Sequence, residues 1–85
     1  MDTLDVFIVT RGVVPKLQML ALKSEEGDGY IFYRNGDLWY CEEWVGDTRA
    51  TYWTDMTDQE VYELAVETYY YMDVVFVLYK EREDK

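Results

Sequence analysis

Histidine is missing from this chain of 85 residues, cysteine and proline each occur once, and lysine plus arginine number 8 against 18 acidic residues. Each shortage excludes something. Without histidine, Ser-His-Asp triads and most designs with a general base poised near neutral pH are ruled out. The single thiol, Cys41, cannot close an intrachain disulfide or build a zinc cluster, and it fits a reducing compartment. Its strand-like setting reads as a small buried hydrophobe. No glycine-rich phosphate loop occurs. The longest apolar run, residues 74–79, is far too short to span a bilayer. Met1 leads into DTLDVFIVT with neither the basic start nor the long apolar region of a signal peptide, so a cytoplasmic protein is expected.

What remains is apolar, aromatic and acidic. Hydrophobic residues make up 49% and aromatics 18%, enough to fold a core despite a net charge of −10, so residues 1–85 read as a single domain. The charge is uneven. Residues 35–79 hold ten acids and only Arg49, whereas the flanking parts are nearly balanced. Solubility alone does not demand such clustering, and like-charged neighbours on a helix each cost about 0.2–0.5 kcal/mol.

The acids centre on the one well-signalled helix, expected near residues 58–71. Thr57 followed three residues later by Glu60 is a capping-box signature. At about 100° per residue, Val61, Leu64, Ala65, Thr68 and Met72 share the core stripe. Glu60, Glu63 and Glu67 gather almost opposite, and beside them runs a second apolar strip, Tyr62, Val66 and Tyr70.

Elsewhere the pattern is β. Residues 4–10, LDVFIVT, are apolar on both faces, like an interior strand, and so are residues 74–80 after the helix. Residues 13–24 fit either a strand or a short helix, with flanking turn signals favouring a strand whose exposed start lies near Pro15. Residues 25–29 read as a hairpin tip; they lack the ligand spacing of an EF-hand calcium loop. YIFYR-NG-DLWYC predicts strands near 30–34 and 37–41 joined by Asn35-Gly36 in a type I′ turn. That register sets Tyr33 against Leu38, Phe32 against Trp39 and Ile31 against Tyr40. Ile31, Tyr33, Leu38 and Tyr40 then share one face, while Phe32, Trp39 and Cys41 share the other. Residues 42–47 read as a turn, residues 48–54 as another strand, and residues 81–85 as a fraying polar tail. The expected fold is α+β: a small, mostly antiparallel sheet of five or six strands, largely a meander, with one helix packed on one face and the last strand returning towards the middle.

Chemistry is scarce. Glu42 with Glu43, or Asp55 with Asp58, would suit a glycosidase-like or magnesium site, but such pairs arise by chance among so many acids. No catalytic residue, metal site or cofactor is therefore assigned, and the chain is read as a non-enzyme. Direct nucleic-acid binding is disfavoured, because an acidic surface repels phosphates. In size, acidity, aromatic content and lack of catalytic residues, the chain resembles two groups of small acidic inhibitors. These are phage-encoded DNA mimics that block restriction or CRISPR machinery, and immunity or antitoxin proteins that plug nucleases. The resemblance rests on no diagnostic motif and transfers no site residue; it implies a host-cytoplasmic inhibitor if the chain is phage-encoded.

The residues themselves supply a physical basis. Carboxylates at i, i+3 and i+7 place three charges along roughly 10 Å of helix, with the sign and direction of a nucleic-acid backbone. The partner surface expected from sequence is Glu42, Glu43, Trp44, Asp47, Asp55, Glu60, Tyr62, Glu63, Glu67 and Tyr70, with acids steering and aromatics anchoring. The expected partner is a basic nucleic-acid-binding protein, such as a nuclease or defence complex. The alternatives are an immunity protein or antitoxin against a basic toxin, and an assembly subunit whose aromatics form a homodimer seam.

Overall fold

The computed structural model describes residues 11–83. The strand expected at residues 4–10 and the last two residues of the tail lie outside them. A 3-10 turn, Arg11–Lys16, carries Pro15 and leads into β1 (Leu17–Ser24). There follow β2 (Gly29–Asn35), β3 (Leu38–Val45), β4 (Thr48–Met56), α1 (Asp58–Tyr71) and β5 (Val74–Glu81). The sheet runs β4-β3-β2-β1-β5, and every neighbouring pair is antiparallel. The expected α+β fold is what forms: among the described residues, one open antiparallel sheet with a single α-helix packed against it. Residues 17–24 resolve as a strand, with Pro15 in the turn before it.

Turn chemistry sets the registers. β2 and β3 turn through Gly36-Asp37, not Asn35-Gly36, so Asn35 pairs with Leu38, Tyr33 with Tyr40, Phe32 with Cys41 and Ile31 with Glu42. The expected register was therefore two residues out. Gly36, at φ 69, takes the first central position, as glycine does in a type II′ turn, and Asn35 stays in the strand. An even slip preserves faces, so both predicted same-face groups survive. The β3–β4 hairpin repeats the device at Gly46-Asp47, with Gly46 at φ 63 and Val45 opposite Thr48. The turn expected over residues 42–47 thus shrinks to two residues, and Glu42, Glu43 and Trp44 are strand residues. Gly29 opens β2 at φ 154, where a Cβ would stand 1.9 Å from the Leu22 carbonyl oxygen. The neighbouring turn tips are tied together, since Gly46 N–H donates to the Asp28 carboxylate at 2.7 Å.

One sheet face meets the helix. Leu20, Leu22, Phe32, Trp39 and Cys41 point into it and pack with Val14, Leu17, Val61 and Ala65. The capping box forms as expected: Thr57 Oγ1 accepts from Glu60 N–H at 3.2 Å, and Glu60 Oε1 accepts from Thr57 N–H at 2.9 Å. Val61, Ala65 and Thr68 are buried, while Leu64 and Met72 are only half-buried. Arg34 crosses this layer with its side chain only 3% exposed. It donates to the Leu17 carbonyl at 2.7 Å, the Val14 carbonyl at 3.0 Å and Asp58 at 2.9 Å, and its guanidinium lies 4.4 Å over the Trp39 ring.

The last strand pairs with β1 and is the outermost strand on that side among the described residues. The α1 crossover delivers the chain to the far side of β1, because β1 is already paired with β2 on its other edge. The tail is also partly tied down, since Arg82 N–H donates to the Lys16 carbonyl at 2.8 Å.

Candidate functional site

The helix presents the acids as its phase requires. Glu60, Glu63 and Glu67 are all exposed, on the side of α1 away from the sheet. Glu63 accepts a hydrogen bond from Gln59 at 2.9 Å. At the far end of the sheet Glu43, opposite Tyr30 in the strand pair, acts on the hydroxyl of Tyr30, and Glu67 adds a weaker charge effect. That hydroxyl titrates above its ordinary range, first because it is partly desolvated and then because Glu43, Cys41 and Glu67 oppose a second negative charge. Tyr30 stacks on Phe32 and leans on Trp53, each at a centroid distance of 6.2 Å. Neither Tyr30 nor Trp53 was singled out from sequence. Pairing of Tyr30 with Glu43 across the sheet makes them neighbours, and only the register reveals it.

Cations do little to offset these acids. Among the described residues, the ion pairs are Arg34–Asp58 and Arg49–Glu42, so none involves Glu43, Glu60, Glu63 or Glu67. Arg34 is buried in structural work, and Lys23 sits 4.7 Å over the Trp44 ring. Arg82 lies by the start of α1, where it helps lower the Asp58 pKa. For Asp58, burial pushes the carboxyl up, but the hydrogen bonds from Trp39 and Arg34 outweigh it and hold the group below its usual range.

Strand alternation divides the other predicted residues. Glu43 points to the helix side, and Glu42 and Trp44 point to the opposite face. There Glu42 accepts from Trp44 Nε1, Tyr40 Oη and Arg49 Nη1, each at 3.2 Å. Burial alone would raise its pKa, yet these donors prevail and lower it. Glu42 is thus an internally compensated carboxylate and does not extend the helical row. Asp47 is exposed in the β3–β4 turn, and Asp55 is exposed at a kink in β4 with φ 60. Tyr62 is half-buried against the core, which makes it part packing residue. Tyr70 is 64% exposed and meets Tyr69 edge-on, so of Tyr62 and Tyr70 it is the one presented as an anchor.

The face away from the helix carries a second group of aromatics. Tyr33, Tyr40 and Tyr52 run across β2, β3 and β4 with centroid distances of 6.3 and 5.7 Å. Ile31 and Leu38 share this face, as the strand periodicity predicted. The carboxylate pairs weighed for catalysis are not assembled: Glu42 and Glu43 face opposite ways, and Asp58 is bound by Arg34 and Trp39. Among the described residues, no group of three or more acids and cysteines is placed to hold a metal ion. No described helix is long and apolar enough to cross a membrane.

No family model matches the chain, and neither does any curated protein or solved structure. The functional reading therefore rests on the residues and their placement.

Proposed function

We infer that this chain is a binding protein whose acidic helix engages a basic protein surface, acting as a stoichiometric inhibitor that occupies a nucleic-acid-binding groove. The observation that carries this reading is the exposed row Glu60, Glu63 and Glu67, with no ion pair to any of the three among the described residues. A folded surface that tolerates this repulsion stores a negative field that a lysine- and arginine-lined groove would relieve. Such a groove is spaced for a duplex with one charge per about 1.7 Å of axis, sparser than which the helix row still matches in sign and line. Tyr70, exposed beside the row, would supply contact that survives salt screening. The partner proposed is a nuclease or another nucleic-acid-binding complex.

The experiment has two stages. Immobilised protein captures its partner from host lysate at low salt, and the captured protein is tested for release of its nucleic acid as the inhibitor is titrated in. On- and off-rates are then measured with Glu63→Lys/Glu67→Lys and with Tyr70→Ala. The charge reversal should slow association by tenfold or more at low salt, and the loss should fade as the screening length drops from about 10 Å to 3 Å. Tyr70→Ala should instead speed dissociation at either salt. Unchanged association for the reversal, or tight salt-resistant binding of the protein itself to DNA or RNA, defeats the proposal.

A further inference from the structure

Two of the three tryptophans in this chain carry a cation supplied by the chain itself. Arg34 lies 4.4 Å over the Trp39 ring and is paired with Asp58, which accepts from the Trp39 indole at 2.7 Å. Lys23 lies 4.7 Å over the Trp44 ring, and the Trp44 indole donates to Glu42 at 3.2 Å. Glu42 in turn pairs with Arg49, which lies 5.3 Å over the Tyr52 ring. One combination therefore recurs: an aromatic ring beneath a cation and beside a carboxylate. Trp53 has the ring and the carboxylate, but among the described residues no cation covers it.

Trp53 stands on the helix side of β4, opposite the buried Cys41, and is 42% exposed. Glu43 follows Cys41 by two residues on the same face, diagonal to Trp53 at a spacing that long side chains bridge. Tyr30, opposite Glu43 on β2, forms the third side, with its ring 6.2 Å from that of Trp53. Neither ion pair among the described residues includes Glu43, whose charge bears instead on the Tyr30 hydroxyl. An exposed indole beside such a carboxylate attracts a cation twice over, through its ring face and through charge-assisted hydrogen bonds. Arginine suits the notch better than lysine, because a planar guanidinium stacks on the ring while its N–H groups reach the carboxylate. Both cations that pair with a carboxylate while covering a ring in this fold are arginines. We propose that Trp53, Glu43 and Tyr30 form a receptor for one arginine side chain of a basic protein, with the guanidinium over the Trp53 indole and hydrogen-bonded to Glu43. The receptor rests on the reading of the acidic face as the seat of a basic partner, and it names the side chain that this partner inserts.

Short peptides test the notch without the partner. Hexa-arginine is titrated into the isotope-labelled full chain while the indole N–H resonances are followed by NMR, with hexa-lysine and hexa-citrulline alongside. The Trp53 indole should shift with hexa-arginine, while those of Trp39 and Trp44, already covered from within the chain, stay in place. Hexa-citrulline keeps a planar end group without the charge and should shift none of them. Trp53→Leu and Glu43→Gln should each weaken hexa-arginine binding about threefold or more. Trp53→Tyr, which keeps a ring, should retain most of the affinity. Glu43→Gln decides the matter even if Trp53→Leu folds poorly, since it removes charge without removing volume.

A Trp53 indole that stays unmoved at saturating hexa-arginine overturns the proposal. So does unchanged hexa-arginine affinity in folded Glu43→Gln. Equal losses for hexa-lysine and hexa-arginine overturn the choice of arginine and leave a site for any cation. The inhibitor reading fails separately. If Glu63→Lys/Glu67→Lys abolishes hexa-arginine binding while the notch variants change nothing, the acidic row binds bases and the receptor is refuted. If the notch variants behave as expected but the protein displaces no nucleic acid from a bound partner, the receptor stands and the inhibitor is refuted.

Discussion

Arg34→Met is the most informative single change, because it removes a charge while keeping a long apolar stem in place. In the folded protein the guanidinium serves the carbonyls of Leu17 and Val14 and the carboxylate of Asp58. Both carbonyls belong to buried residues, 1% and 5% exposed, so water does not readily replace the lost donors. Each unsatisfied carbonyl costs about 1–3 kcal/mol. Asp58 contributes less to the loss, since its side chain is 39% exposed and keeps the Trp39 indole as a donor at 2.7 Å. Methionine also escapes the desolvation of a buried cation, which returns part of the loss. The net expectation is a destabilisation of about 2–4 kcal/mol, a large share of the roughly 5–10 kcal/mol available to a domain of this size. Arg49→Met is the control. Its ion pair with Glu42 has a similar distance, 3.2 Å, but its side chain is 48% exposed, and its loss should cost no more than about 1 kcal/mol. Urea denaturation of both variants beside the parent gives the comparison. Equal effects would refute the claim that burial of its partners makes Arg34 the tie between the 3-10 turn, the sheet and the start of the helix.

The remaining predictions concern acid, the helix and the thiol. Asp58 has a lowered folded-state pKa, so its stabilising contribution is present above its unfolded value and is lost as pH falls through the folded one; the stability gap between the parent and Asp58→Asn, measured by urea melts, should therefore close on acidification. Val61→Ala should cost about 1–3 kcal/mol because Val61 is fully buried, more than Leu64→Ala at its half-buried site, while Glu63→Ala should stay within about 0.5 kcal/mol of the parent in thermal melts. Burial first, and then the charges of Glu43 and Glu42, push the Cys41 thiol up to about 12; the native protein should resist thiol reagents at pH 8 and react only on unfolding, and prompt modification of the folded protein would contradict that placement.

The helix was legible because its signals are local. Thr57 and Glu60 satisfy each other's backbone within one turn, and the period of Val61, Ala65 and Thr68 needs no knowledge of what they pack on. The open face of Ile31, Tyr33, Leu38 and Tyr40 was legible for the same reason, since alternation along a strand survives any even slip in register. What sequence could not supply was which residue of Asn35-Gly36-Asp37 takes the positive φ, a choice of small energy settled by the pairing of whole strands. It also could not show that Glu42 and Glu43, adjacent in the chain, part to opposite faces, or that Glu43 stands opposite Tyr30. Nor could apolar composition place β5. A run of residues like 74–79 states that the strand wants cover on both sides, but its position follows from β1 having only one free edge when the helix brings the chain back. The sequence determined the elements, the two-sided character of each strand and the excess of acid. Tertiary structure decided which acids stand together, because neighbours across a sheet are chosen by register and by the sum of many pairings, and no single residue carries that information.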